Sequence, residues 1–168
     1  MSPRALPFCR YSPDEENTLN QHAAVQSFVI LLAEDEPADT HLVRVALAEN
    51  SLAADLHHVV NGCEVLEFLR RQVPKFIGSP RPDLILLDLN MPRMNGHECL
   101  AALKSDETLC DIPVVILSTS AAESDIVAAY GLGASGYITK PADIGQFITA
   151  IRQLGDYWMT LVRLPGHL

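Results

Sequence analysis

The stretch LLDLNMPRMNG, residues 86–96, joins an apolar run to a carboxylate and then to a turn rich in proline and glycine. The segment LILLD at 84–88 predicts a buried strand that ends at Asp88. A carboxylate at the rim of a core costs free energy unless it is paired with a cation or bound to a metal. We therefore expect partners for Asp88 at the ends of other strands.

Short apolar runs alternate with amphipathic stretches along most of the chain. Strands are predicted at 27–33, 55–60, 84–88, 114–118 and 136–139, and helices at 37–50, 62–72, 96–104, 122–130 and from residue 143 onward. This alternation predicts an α/β fold, with a doubly wound five-stranded parallel sheet covered by helices on both faces. Right-handed crossovers favour the flavodoxin-like strand order 2-1-3-4-5.

The domain organisation follows from the same pattern. Residues 1–26 lack periodicity and are expected to form a flexible N-terminal tail, whereas residues 27–155 form a single domain. Residues 156–168 form a C-terminal extension, in which Trp158, Leu161 and Val162 prolong an apolar stripe. That stripe either packs within the chain or meets a second copy at a dimer surface.

Composition excludes several classes of protein. The 168 residues carry a net charge of −9, which argues against general binding to nucleic acid or to anionic membranes. No apolar run approaches the roughly 20 residues of a membrane span. The four cysteines form no CxxC motif and are expected to be reduced thiols. We therefore expect a cytoplasmic protein.

Chemically useful side chains follow four of the predicted strands. Glu34 and Asp35 follow the first strand, Asp88 ends the third, Ser118 ends the fourth and Lys140 follows the fifth. Ligands of such sheets bind at the carboxyl ends of the strands, where these groups converge. Carboxylates crowded together favour a hard cation such as Mg²⁺. The set suits phosphoryl transfer, with Asp88 as nucleophile, Glu34 and Asp35 holding the metal, and Lys140 and Ser118 contacting phosphate oxygens.

With these residues in place, the sequence resembles the receiver domain of two-component response regulators. The matching pieces are Glu34-Asp35, the segment around Asp88, LSTS at 117–120 and ITKP at 138–141. Thirty residues separate Asp88 from Ser118 and 22 separate Ser118 from Lys140, which is similar to the family spacing. The resemblance covers roughly residues 27 to 155.

The resemblance implies roles for the residues around Asp88. Asp88 accepts a phosphoryl group from the phosphohistidine of a sensor histidine kinase. Mg²⁺ is held by Asp35, Asp88 and the backbone carbonyl of Asn90, with Glu34 acting through water. Such a protein is a signalling receiver, and it catalyses at most its own phosphorylation and dephosphorylation.

The resemblance also implies a switch. Ser118 and Tyr137 match its two positions: the hydroxyl turns toward the phosphate, and the aromatic ring then swings inward. Asn90 and Ser120 match positions that tune the lifetime of the phosphoryl group. Relatives often carry a cis peptide bond before the proline at position 141. The positions that match the phosphate ligands of the family are Ser118, Thr119 and Lys140.

Two further features suggest a subtype. The long loop QVPKFIGSPRP at 72–82 and the ending DYWMTLVRLP at 156–165 resemble stand-alone regulators that are paired with phytochrome-type sensor kinases. The partners implied are such a kinase, a histidine phosphotransferase and a second copy of the chain.

Three other classes of protein compete with this interpretation. A haloacid dehalogenase-type aspartyl-phosphate hydrolase needs a second acid two residues after its nucleophile, where this chain has Asn90. A flavodoxin needs a phosphate-cradling first loop, whereas EDEPAD at 34–39 repels phosphate. A pseudo-receiver that only docks partners is disfavoured by the full acceptor set, although the sequence leaves it open.

Overall fold

The computed structural model describes residues 27–49 and 53–164. Five strands form one parallel sheet in the order β2-β1-β3-β4-β5, which confirms the predicted fold class and topology. The chain therefore returns to the sheet centre after its first two strands. The strands are β1 (Phe28–Ala33), β2 (Ala54–Val59), β3 (Leu84–Leu87), β4 (Val114–Ser118) and β5 (Gly136–Thr139).

Five α-helices alternate with these strands and begin within one residue of the predicted starts. Asn61, Asn95 and Asp143 cap three of them by accepting a hydrogen bond from the backbone N–H three residues later. The helices are α1 (Pro37–Ala48), α2 (Gly62–Arg70), α3 (Gly96–Ser105), α4 (Glu123–Gly131) and α5 (Ile144–Asp156). A short 3₁₀ turn, Pro74–Phe76, lies within the long loop, and a π-helical turn, Tyr157–Leu161, follows α5.

Alternate residues of the central strands fill two separate core layers. Leu31, Ile85 and Ile116 pack on one face beneath helices α2, α3 and α4. Ile30, Leu86 and Leu117 pack on the other face beneath α1 and α5. Burial on both faces explains why these strands read as unbroken apolar runs.

The long loop between α2 and β3 is anchored to the edge of the sheet. Phe76 is buried, and its ring meets that of Phe68 edge-on at a centroid distance of 5.4 Å. Phe68 in turn contacts the ring of His57 on the edge strand β2 at 5.3 Å. Next to Phe76, Lys75 Nζ donates to Glu64 Oε1 at 2.9 Å. The loop is therefore held by α2, which in turn contacts the edge strand β2.

The C-terminal stripe divides between core and surface. Trp158 is only 9% exposed and joins the layer beneath α1 and α5, against which Val162 also packs. Leu161 is 72% exposed and Tyr157 is 51% exposed. The idea that the whole stripe forms a dimer contact is therefore wrong for Trp158, because the turn after α5 folds this ring back onto the domain.

Two other predictions concern the ends of the chain and membrane insertion. The predicted tail at 1–26 and the last residues of the extension, 165–168, lie outside the described residues. Among the helices that the structure describes, none is long and apolar enough to cross a membrane.

Candidate functional site

Three carboxylates meet at the carboxyl ends of β1 and β3. Glu34 and Asp35 directly follow β1, and Asp88 directly follows β3. The backbone N–H of Asp88 donates to the carbonyl oxygen of Ala33 at 3.0 Å, which ties the two strand ends together. One oxygen atom from each carboxylate lies within 4.8 Å of the others. The structure thus brings together the three acids that the sequence singled out.

The environments of the three acids differ. Glu34 is 1% exposed and Asp88 is 5% exposed, whereas Asp35 faces solvent. Burial raises the pKa of Asp88, although the charge of Lys140 and a backbone N–H bond from Asn90 partly oppose it. Burial likewise raises the pKa of Glu34. Burial thus disfavours the charged form of both acids, whereas a cation beside them favours it.

Lys140 reaches this cluster from the end of β5. Its side chain is only 6% exposed, and Nζ lies 2.5 Å from Glu34 Oε2 and 3.6 Å from Asp88 Oδ2. Its backbone N–H donates to the carbonyl oxygen of Ser118 at 2.7 Å. Burial acts to lower the pKa of Lys140, but hydrogen bonds to Asp39 and Glu34 outweigh burial and raise it. Lys140 is therefore a firmly held ammonium group.

The peptide bond between Lys140 and Pro141 is trans, since the described chain contains no cis peptide bond. The expectation of a cis bond at this position is wrong. The side chain of Lys140 nevertheless reaches the carboxylates, so the trans backbone delivers it to the predicted place.

Asp39 is a member of the site that sequence reasoning missed. It lies in the first turn of α1, and its Oδ2 accepts a hydrogen bond from Lys140 Nζ at 2.8 Å. The signal was present in the sequence. Pro37, three residues after Glu34, starts a helix at once, so the first turn of that helix stays beside the strand ends.

The donor set fits a divalent cation. Glu34, Asp35 and Asp88 offer hard oxygen atoms, which are the ligands that Mg²⁺ and Mn²⁺ prefer. With Asp39, these carboxylates outnumber the ammonium group of Lys140, so the cluster holds excess negative charge that a cation would relieve. Asn90 lies next to the cluster, and its backbone N–H donates to Asp88 Oδ1 at 3.3 Å.

A second polar group occupies the loop after β4. Ser118 is fully buried, and its Oγ accepts a hydrogen bond from the backbone N–H of Ser120 at 3.2 Å. The Ser120 hydroxyl donates to Asp125 Oδ2 in α4 at 2.5 Å. Thr119, between the two serines, is exposed. Ser120 therefore connects β4 to the first turn of α4.

Tyr137 contacts the same loop from β5. Its hydroxyl donates to the carbonyl oxygen of Ser120 at 2.8 Å, and its ring packs against the core layer beneath α3 and α4. The ring is half-buried, and the Ser120 carbonyl holds its hydroxyl. The inward movement of this ring on phosphorylation stays a prediction.

The turn after Asp88 needs glycine at position 96. A Cβ atom there would lie 2.3 Å from the Asp88 carbonyl oxygen and 2.7 Å from Leu89 Cα. The Gly96 N–H donates to the Leu89 carbonyl oxygen at 2.9 Å. This bond closes the loop next to Asp88. The segment LLDLNMPRMNG therefore forms a tight turn that holds the backbone of Asp88 in place.

Comparisons with known proteins agree with this geometry. The response regulator receiver domain matches residues 30–152. Response regulator Rcp1 of Synechocystis sp. is 39% identical over 138 residues, which cover 82% of this chain and 93% of Rcp1.

Two solved structures are also similar. The phosphorylated cyanobacterial phytochrome response regulator RcpA has a TM-score of 0.80 and 41% identity, covering 83% of this chain and 99% of RcpA. The Mn²⁺-bound form of Rcp1 has a TM-score of 0.78 and 38% identity, covering 82% of this chain and 99% of that structure. The chain belongs to the response regulator receiver domain family of two-component signalling, and it resembles the phytochrome-associated members of that family.

Proposed function

We propose that this protein is a phosphoaccepting response regulator in which Asp88 takes a phosphoryl group from the phosphohistidine of a sensor kinase. The observation that carries the proposal is the setting of Asp88. This buried carboxylate lies at a strand end, with two further acids beside it and Lys140 Nζ 3.6 Å from its Oδ2. A solvated loop acid has no such surroundings, and the family supplies the class of reaction.

The chemical step is an in-line displacement at phosphorus. A carboxylate oxygen of Asp88 forms the new bond to phosphorus while the bond from phosphorus to the kinase imidazole nitrogen breaks. The nitrogen leaves with the bonding electron pair and takes a proton from water. Lys140 stabilises the negative charge on an oxygen of the transferred group, because its ammonium is already held beside Asp88.

We assign the cation to Mg²⁺, held by Asp35, Asp88 and the backbone carbonyl of Asn90, with Glu34 acting through water. The donor set and the Mn²⁺-bound form of the homologous Rcp1 support this assignment. A bound divalent cation neutralises charge on the phosphoryl oxygens and on the crowded carboxylates.

We infer that the phosphate ligands and the switch residues come from the ends of β4 and β5. Ser118 Oγ, now bonded by the Ser120 N–H, can rotate to donate to a phosphate oxygen. The backbone of Ser120 then shifts and carries with it the carbonyl that holds Tyr137. Asn90 and Ser120 tune the phosphoryl lifetime. The full set of phosphate ligands is Ser118, Thr119 and Lys140.

We propose that the partner is a phytochrome-type sensor histidine kinase, which the likeness to RcpA supports. Residues 27–155 form the receiver unit, which meets its kinase in the cytoplasm and transmits its state by protein contact. A histidine phosphotransferase is a second candidate partner. The exposed Tyr157 and Leu161 after α5 support a homodimer contact through the extension at 156–168.

Phosphotransfer from a kinase tests the proposal. A phytochrome-type histidine kinase labelled with radioactive phosphate on its histidine should pass the label to the wild type and not to Asp88→Asn. Asp83→Asn, which changes an acid just before β3, serves as the control and should accept label like the wild type. Label on Asp88→Asn would show that another residue is the acceptor, and a wild type that binds the kinase and accepts no label would favour the docking-only alternative.

A further inference from the structure

Lys140 has two short contacts, one with a member of the carboxylate cluster and one with an acid outside it. Its Nζ is 2.5 Å from Glu34 Oε2 and 2.8 Å from Asp39 Oδ2, compared with 3.6 Å from Asp88 Oδ2. Glu34 and Asp88 belong to the group of acids that converges within 4.8 Å, whereas Asp39 does not. Asp39 therefore binds the ammonium from outside the set of cation ligands.

This position matters because two kinds of cation need the same oxygens. A divalent ion among Glu34, Asp35 and Asp88 repels the ammonium of Lys140, whose own contacts include two of these acids. The lysine cannot simply move into water, because its side chain is only 6% exposed and a buried ammonium needs a partner. The carboxylate of Asp39 provides such a partner.

The simpler explanation for Asp39 is that an acid in the first turn of a helix stabilises the helix dipole. The helix dipole alone does not explain the geometry, because the Asp39 carboxylate accepts a hydrogen bond from Lys140, which lies 101 residues away and directly follows β5. Glu36 is a second acid at the start of α1 and can be compared with Asp39. It is the exposed N-cap residue of the helix, and its side chain makes no capping bond.

We propose that Asp39 is a positioning residue: it holds the ammonium of Lys140 at the site when a divalent cation takes up the oxygens of Glu34 and Asp88. This rests on the proposed function only for the identity of the cation site. Asp39 makes no contact with the transferred group, and it acts through Lys140.

A double-mutant cycle with Mg²⁺ alone as the probe tests the proposal. Mg²⁺ affinity is measured by calorimetry for the wild type, Asp39→Asn, Lys140→Met and the double variant. Asp39→Asn should weaken Mg²⁺ binding about 3- to 10-fold, and in the Lys140→Met background the same change should have an effect of less than about twofold. Asp39→Glu should restore most of the affinity, and Glu36→Gln should change it by less than about twofold.

The outcomes separate the explanations. An equal loss of affinity in both backgrounds would show that Asp39 acts on the cation directly, and no loss in either would show that it has no role; both results overturn the proposal. Lys140→Gln replaces Lys140→Met if the latter fails to fold. Absence of Mg²⁺ binding by the wild type overturns both this proposal and the metal assignment. If the effects of Asp39 and Lys140 on Mg²⁺ affinity are coupled as expected but the protein accepts no phosphoryl group, only the proposed function is overturned.

Discussion

The hydroxyl of Tyr137 on β5 is bonded to the carbonyl oxygen of Ser120 at 2.8 Å, and the N–H of Ser120 is bonded to Ser118 Oγ at 3.2 Å. A single residue of the loop after β4 thus contacts both predicted switch positions. If Ser118 Oγ turns away, the Ser120 N–H loses its acceptor, and the proposed switch predicts that the change then passes through Ser120 to Tyr137.

Replacing Tyr137 with phenylalanine removes only the link to Ser120. Tyr137→Phe should lower the free energy of unfolding by about 1 kcal/mol, the usual net value of one hydrogen bond. Amide exchange at residues 119–122 should become faster, while phosphorylation by acetyl phosphate stays within about twofold of the wild type. Tyr130→Phe, on the exposed surface of α4, is the control. Unchanged loop exchange in Tyr137→Phe would contradict the coupling.

The raised pKa of Asp88 gives a pH-dependent prediction for stability. Burial makes the folded chain hold the Asp88 proton more tightly than the unfolded chain does. Ionisation therefore destabilises the fold, and this penalty grows as the pH rises from the unfolded pKa of about 3.9 through the higher folded pKa. Without Mg²⁺, Asp88→Asn should exceed the wild type in free energy of unfolding by about 1 kcal/mol at neutral pH.

Urea unfolding between pH 4 and pH 8 in the presence of a chelator measures this difference. The advantage of Asp88→Asn should shrink as the pH falls toward the unfolded pKa, because the wild-type carboxyl is then protonated as well. An advantage that stays constant across this range would show that the charge of Asp88 is not its cause.

The close approach of Gly96 to Asp88 predicts a strong effect of one methyl group. Gly96→Ala should lower the free energy of unfolding by about 3 kcal/mol, because backbone atoms of Asp88 and Leu89 cannot yield to the new Cβ atom. Gly131→Ala at the end of α4 is the matched control, since nothing lies within 4 Å of its Cβ position. That variant should be neutral or gain up to about 1 kcal/mol. Similar values in urea unfolding for both variants would contradict the close approach at Gly96.

The proposed homodimer predicts a change of mass in solution. Light scattering should give about twice the chain mass of 18.4 kDa for the wild type, and Tyr157→Ser with Leu161→Ser should shift the mass toward the monomer. Ile77→Ser removes an equally exposed apolar side chain from the loop before β3 and should leave the dimer intact. A monomeric wild type would show that the C-terminal surface is not a dimer contact.

The sequence predicts the fold and the converging acids because both depend on the order of elements along the chain. Once the strand order 2-1-3-4-5 is chosen, the ends of β1 and β3 must be neighbours, which places Glu34 and Asp35 beside Asp88. The features of the site that the sequence did not predict depend on contacts between residues far apart along the chain. Pro37 shows from the sequence that Asp39 lies near the strand ends, but the bond from Lys140 to Asp39 joins residues 101 positions apart, and the sequence does not show that these two side chains meet.

The C-terminal stripe shows the same limit. Periodicity marked Trp158, Leu161 and Val162 as one apolar face, but it assumed that the helix continues. Trp158 lies seven residues after the buried Ile151 and continues the α-helical stripe, whereas after the π-helical turn Val162 packs against the domain and Leu161 is exposed. The sequence likewise did not show that the Tyr137 hydroxyl bonds the Ser120 carbonyl.

The most direct test of the central claim is the intact mass of the wild type and of Asp88→Asn after incubation with acetyl phosphate, with and without Mg²⁺. We expect that only the wild type, and only with Mg²⁺, gains the mass of one phosphoryl group. A gain by Asp88→Asn, or by the wild type without any divalent cation, would contradict the assignment of Asp88 as a metal-assisted phosphoacceptor.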